Sequence, residues 1–433
     1  MKPENYPAQP RHLWDHFYQF TQIPRPSKQE GAIRRYVTDL AEKAGYDWRQ
    51  DDAGNVVVYV PASAGKEDRP TVIVQNHLDM VTVKTLDKVH DFNSDPLTLQ
   101  VNDGWLSADR TTLGADNGVG CAAALALMTD PGLTHPALEL LFTVDEETGL
   151  GGALNLDPSL LSGTLMLNLD TEDWNELYIG CAGGGGWEFT RQFTPQATHD
   201  KLECWRLVVK GLAGGHSGVQ IHQQLGNAIK IGCDVLSELR DVRLTGIDAG
   251  VAHNVIPREA EFTFSCPGTE ASEIQSLMAE VRRRSLGYLP EADAGLQLLL
   301  ESSIVSPGLS IADSRTVIDL LNALPHGAQS YSLSQPADLV ELSINLATVC
   351  LRDGALHIES SFRFFNDEQS LPLRRQVEAI ARSFDLDTTP VAGYPGWQPD
   401  YSSALLARGK ALHNRIFGFE PAVKAIHAGL ECG

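Results

Sequence analysis

Thr71-Val-Ile-Val-Gln-Asn-His-Leu-Asp79 is the stretch on which the fold reading turns. Its first five residues are mostly β-branched and apolar, the composition of a short buried strand. It ends on an imidazole and a carboxylate two positions apart, which on extended chain face the same way. In open α/β sheets, functional groups collect at the carboxyl ends of strands. His77 and Asp79 are therefore candidates for a metal ligand and for the acid that fixes its tautomer. Alone, a His-x-Asp is short and suits a solvated strand end equally well.

Working outward, Asn55–Val60, Leu138–Val144 and Leu165–Leu169 are further strand-length apolar runs. Leu13–Phe20, Gln29–Lys43 and Cys121–Met128 have helical spacing or composition. The pattern predicts an α/β layer with a central mixed sheet flanked by helices. Gly180-Cys-Ala-Gly-Gly-Gly-Gly186 has almost no side chains and reads as a hinge. Beyond it, strands at Trp205–Val209, Ala260–Ser265 and His357–Phe364 alternate with helices at Gly226–Arg240 and Glu270–Arg284, an inserted α+β domain. The expected division is 1–186, 187–395 and a return segment 396–433. No internal repeat is legible.

Three more strand ends or turns carry acids. Asp116, in Gly114-Ala-Asp-Asn-Gly118, precedes the alanine-rich helix; it reads locally as an N-cap, in a turn small enough to admit a bridging carboxylate. Asp145-Glu-Glu147 ends an apolar strand, where adjacent carboxylates need either water or a cation. Neighbouring glutamates can divide labour, one binding metal and the other taking a proton from metal-bound water. Asp170 closes Leu165-Met-Leu-Asn-Leu-Asp170. One imidazole and several carboxylates suit Zn²⁺, Mn²⁺ or Co²⁺ better than thiolate-loving ions.

Bulk properties narrow the field. A formal net charge of -22 over 433 residues argues against nucleic-acid or anionic-membrane partners. No run has the length of a membrane-spanning helix, and Met1–Pro10 holds no apolar stretch of the length expected of a signal peptide. Seven scattered cysteines without a Cys-x-x-Cys fit a reducing compartment, so the expected address is the cytoplasm.

The motifs His77-Leu-Asp79, Gly114-Ala-Asp116-Asn-Gly118, Asp145-Glu-Glu147-Thr-Gly149 and Asn168-Leu-Asp170, in this order, resemble the co-catalytic zinc peptidases, a family of aminoacylases, carboxypeptidases and dipeptidases. Lys210-Gly-Leu-Ala-Gly-Gly-His216-Ser-Gly, Asn254-Val-Ile-Pro-Arg258-Glu, Gly393-Tyr-Pro-Gly-Trp-Gln-Pro399 and Ile426-His-Ala-Gly-Leu-Glu-Cys-Gly433 resemble its aminoacyl-histidine dipeptidase branch. The resemblance implies hydrolysis of dipeptides, Xaa-His among them, at two zinc ions. It implies His77 and Asp170 on one ion, Asp116 bridging, Glu147 on the second, Glu146 as general base and Asp79 orienting His77. It further implies a cis peptide after Asp116, a lid domain over 187–395, His216 steadying the oxyanion, and a homodimer through the lid. Relatives of the branch continue past the final string to a last metal-binding histidine. The sequence stops at Gly433, so the expectation is a fragment whose second ion has only Asp116 and Glu147. Rival readings are an aminoacylase or tripeptidase, and a non-catalytic metal-binding relative.

Overall fold

The computed structural model describes residues 2–197, 203–333, 336 and 338–433. They form two units, one of residues 1–177 with 403–422 and 432, the other of 178–402 with 423–431 and 433.

The first unit opens with helices α1 (Arg11–Gln22) and α2 (Gly31–Ala44), followed by strands β1 (Asp47–Gln50), β2 (Val56–Val60) and β3 (Val72–His77). A hairpin of β4 (Leu99–Asn102) and β5 (Trp105–Ala108) leads to helix α3 (Ala115–Thr129), then β6 (Leu138–Thr143), the helical turn α4 (Gly151–Leu154) and β7 (Leu165–Asn168). The central sheet runs β1-β2-β6-β3-β7. β3 is parallel to both β6 and β7, while β2 is antiparallel to its neighbours. This is the mixed α/β sheet expected. Alternation along β2 sends Val56, Val58 and Val60 to a helix-covered core with Phe20, Ile33, Val37 and Leu125. Val57 packs on the opposite face with Ile73, Leu141 and Leu160. Because β3, β6 and β7 are parallel, their carboxyl ends share one edge of the sheet.

Strand β8 (Glu176–Cys181) carries the chain into the second unit, which begins with β9 (Gly183–Gln192). Next come β10 (Cys204–Lys210), β11 (Gly215–His216), α5 (Ala228–Glu238), β12 (Arg243–Ala249), β13 (Val255–Ile256), β14 (Ala260–Ser265), α6 (Ala271–Leu286) and β15 (Gln297–Ser303). The unit continues with α7 (Ile311–Ala323), β16 (Gly327–Tyr331), β17 (Val340–Arg352), β18 (Ala355–Phe364), α8 (Asp367–Ser383) and β19 (Asp387–Tyr394). Helix α9 (Ala404–Phe417) returns to the first unit, and β20 (Ala422–Ile426) pairs with β8.

The large sheet of this unit runs β15-β10-β14-β12-β17-β18-β9-β19, with β16 also on β17. Numbered by chain position, β10, β12, β14 and β15 lie in order 4-1-3-2, and β9, β17, β18 and β19 lie in the reversed order 2-3-1-4. The two halves meet where β12 pairs antiparallel with β17, Ile247 opposite Leu351 and Ala249 opposite Val349. A topological duplication is thus present that the sequence does not reveal.

Two expectations are corrected. Gly183–Gly186 is not a hinge but the start of β9, hydrogen-bonded between β18 and β19. The glycines are needed because a side chain at Gly186 would strike the Ser360 carbonyl, and one at Gly185 the Phe362 ring. The boundaries also move: residues 178–186 and 423–431 belong with the insert, and the return to the first unit begins at 403.

Candidate active site

The shared carboxyl edge of β3, β6 and β7 gathers the acids. His77 ends β3 and is 1% exposed, with Nε2 2.9 Å from Asp116 Oδ1 and 3.6 Å from Asp170 Oδ1. Its Nδ1 faces Asp79 Oδ1 at 3.3 Å. Ligand atoms of His77, Asp116 and Asp170 lie within 4.8 Å of one another, and so do those of His77, Glu146 and Glu147. The four first-unit acids among the ligand and base candidates therefore converge around the His77 imidazole.

Asp79 is wholly buried and organises the turn after β6. It accepts from the Ser27 hydroxyl at 2.7 Å and from the backbone N–H groups of Glu146 and Glu147 at 3.1 and 3.2 Å. Burial acts to raise its pKa, yet His77 and Ser27 outweigh it and hold the acid near 2. Burial likewise pushes the His77 imidazole down, but Asp116, Asp170 and Asp79 carry it far above its ordinary range. Asp116, hydrogen-bonded to His77, is lowered; Asp170 and Glu147 are raised, first by burial and then by other acids. Carboxylates that repel at such short range call for a cation. Oxygen donors with one nitrogen fit a divalent ion, and a metal centre fits these residues.

Asp116 does not cap α3. Gly114 occupies the cap position and makes no side-chain cap bond, while Asp116 has extended φ/ψ, and the Asp116–Asn117 peptide is cis as expected. Asn117 Nδ2 donates to Asp170, tying the two acids' segments together.

Sequence reasoning missed the support beneath this centre. Arg25 is fully buried, and its guanidinium donates to the backbone carbonyls of Leu78, Asp79 and Gly114. Gly114, at φ 66°, makes room for it: a Cβ there would strike the guanidinium and the Met80 sulfur. Glu30 accepts from the Asp145 backbone N–H at 3.0 Å and steadies the acidic turn. The flanking Pro24 and Pro26 were the one local sign that Arg25 is held rigidly.

His216 lies in the second unit, on β11, with Val255 of β13 opposite. Its Nδ1 accepts from the backbone N–H groups of Gly218 and Val219 at 3.2 and 3.1 Å, which leaves the proton on Nε2. Burial, then Arg363 and His253, lower its pKa, so the ring stays neutral. Nearby, Arg363 Nη1 donates to the Tyr394 hydroxyl at 2.8 Å, and its buried Nε has no partner. The buried His427 ring shares a 2.7 Å hydrogen bond with Ser343 and is pushed down to about 3 by burial.

Comparison with known proteins places this arrangement. Residues 208–292 match the peptidase dimerisation domain of the M20 family. The chain is 37% identical over 428 residues to the cytosol non-specific dipeptidase of Escherichia coli, covering 98% of this chain and 88% of that protein. An aminoacylhistidine dipeptidase from Vibrio alginolyticus superposes with a TM-score of 0.90 at 34% identity, over 98% of this chain and 87% of that one. The Bacillus cereus aminopeptidase PepT shares the fold, at a TM-score of 0.51 and 14% identity. With the carboxylate–histidine cluster at the edge of its parallel strands and these relatives on both counts, the chain belongs to the M20 metallopeptidases.

Proposed function

We propose that the protein is a metal-dependent dipeptidase acting on small dipeptides, Xaa-His substrates such as β-Ala-His among them. The observation that carries this is the convergence of Asp116, Asp170, Glu146 and Glu147 around the buried His77 imidazole, in a chain 37% identical to a dipeptidase. His77, Asp116, Asp170 and Glu147 would hold two divalent ions, with Asp116 shared; zinc is the expected metal and Mn²⁺ or Co²⁺ are the substitutes. The ions supply Lewis acidity and activation of water when bound.

The chain's own groups do the rest. Asp79 fixes the orientation of His77 and, through the Glu146 and Glu147 N–H groups, the acidic turn. Glu146 takes the proton of the attacking water on its carboxylate and passes it to the leaving amine. His216 keeps its proton on Nε2 because Nδ1 is occupied, so its ring is a neutral donor for a peptide oxygen on which negative charge develops. Arg363, a cation with no carboxylate in ion-pair range among the described residues, is suited to receive a free carboxylate.

Assembly as a homodimer through the lid is part of this reading. Because β17 already fills the β12 edge, it would use the outer strands or the helical face. The cytoplasm remains the expected compartment; among the described residues no helix is long and apolar enough to cross a membrane.

The test is metal content by mass spectrometry, paired with hydrolysis of β-Ala-His, neutral dipeptides, an acylated amino acid and a tripeptide. About two ions per chain with dipeptide turnover support the reading. Turnover confined to the acylated amino acid or the tripeptide, or none in metal-loaded protein, overturns it.

A further inference from the structure

Beside Arg363 the second unit holds a cleft of about 160 Å³. Its floor is the face of the sheet where β18 meets β9, Arg363 opposite Gly184, Ser361 opposite Gly186 and Glu359 opposite Glu188. Residues 359, 361 and 363 alternate onto one face. The glycines remove every side chain from the middle of the β9 side, which is what makes a cleft of this surface. The loop at His253 roofs it, its carbonyl accepting from the Ser361 hydroxyl at 2.8 Å and from Asn345 Nδ2 at 3.1 Å. Tyr394 closes the Arg363 end, its hydroxyl bonded to that guanidinium.

The two ends of the cleft carry opposite unmet needs. Arg363 has no carboxylate, as noted above. Glu188 and Glu359 stand directly opposite each other on neighbouring strands, an arrangement that like charges disfavour. Among the described residues neither pairs with a lysine or arginine. Glu359 accepts from Thr348 at 3.0 Å, and the nearest base to Glu188 is the His357 ring, at 3.8 Å. From Arg363 to Glu359 is four residues of strand, about 13 Å between Cα atoms. Extended arginine and glutamate side chains directed along that span would leave between them the length of one amino acid with a long side chain.

We propose that this cleft is a specificity pocket for a basic C-terminal residue, lysine or arginine, with the terminal carboxylate on Arg363 and the cationic head between Glu359 and Glu188. This rests on the dipeptidase reading and names the residues that would select among its substrates. A neutral side chain of equal length fills the same space but leaves the glutamates facing each other. The discrimination therefore resides in charge rather than volume.

The experiment compares lysine with norleucine, which matches its chain without the ammonium group. L-Lysine and L-norleucine are titrated calorimetrically into the full chain, and kcat/KM is measured for Ala-Lys and Ala-norleucine. The wild type and the E188Q/E359Q variant are used in both assays. A lysine preference of about fivefold or more in the wild type, in binding and in the kcat/KM ratio, lost in the variant, is the expected result. Equal binding of the two amino acids by the wild type overturns the pocket, and this arm depends on no variant. A preference that survives in a folded variant overturns the assignment to Glu188 and Glu359. Lysine-selective binding without turnover of any dipeptide leaves the pocket standing and rejects the dipeptidase reading instead.

Discussion

The guanidinium of Arg25 lies 2.5 Å from the carbonyl oxygen of Asp79, the residue whose carboxylate gathers the acidic turn. One buried cation thus grips the backbone of the His77–Asp79 strand end and, through the Gly114 carbonyl, the segment that carries Asp116. Arg25→Met should strand these carbonyls in the interior and lower the stability of the metal-free protein by about 3 kcal/mol. Arg25→Lys should restore part of it. Urea unfolding after chelation provides the check, and an unchanged midpoint in the Met variant would count against any such role.

Glu146→Gln keeps the size and the backbone N–H that binds Asp79 but removes the proton acceptor. The expected outcome is a fall in kcat of at least about a hundredfold, with metal content unchanged. Equal loss of metal and activity would instead make Glu146 a ligand, a role its proximity to His77 and Glu147 also permits.

Replacement of His216 by Ala removes a neutral Nε2–H donor. A loss in kcat of about a hundredfold, with a smaller change in KM, is the signature of a group that acts as charge develops on the oxygen. A change confined to KM would place His216 in ground-state binding.

Acid sensitivity should trace in part to His16. Its ring is buried between the Tyr36 hydroxyl and Thr129 Oγ1, each at 2.8 Å, and burial depresses its pKa from 6.5 to about 4. The unfolded chain therefore binds this proton first. The contribution is complete above pH 6.5 and is lost as pH falls toward about 4, at up to about 1.4 kcal/mol per unit. His16→Gln should flatten the unfolding free energy across this window, measured by urea titration at several pH values.

Much of the first unit was legible because its physics is local. Val-Ile-Val before His77, and Leu-Leu-Phe before the acidic turn, are buried on both faces of a sheet and show it in composition. The converging acids followed from the rule that parallel strands end on one edge. What failed depended on distant contacts. Gly183–Gly186 looked like a linker because nothing local reveals the Phe362 ring and the Tyr394 backbone packed against it. Asp116 looked like a cap because its partner, the His77 ring at the end of β3, lies 39 positions away in sequence. Arg25, Arg363 and the Glu188–Glu359 pair are ordinary surface letters in the sequence; only the fold buries the first and aligns the others.

The seam between β12 and β17 has a consequence for mass action. A module whose edge strand waits for a second chain is completed only at concentrations above its dissociation constant. Here the strand that completes it is tethered in the same polypeptide, at an effective concentration on the order of millimolar. Dilution that would separate two chains leaves this pairing intact.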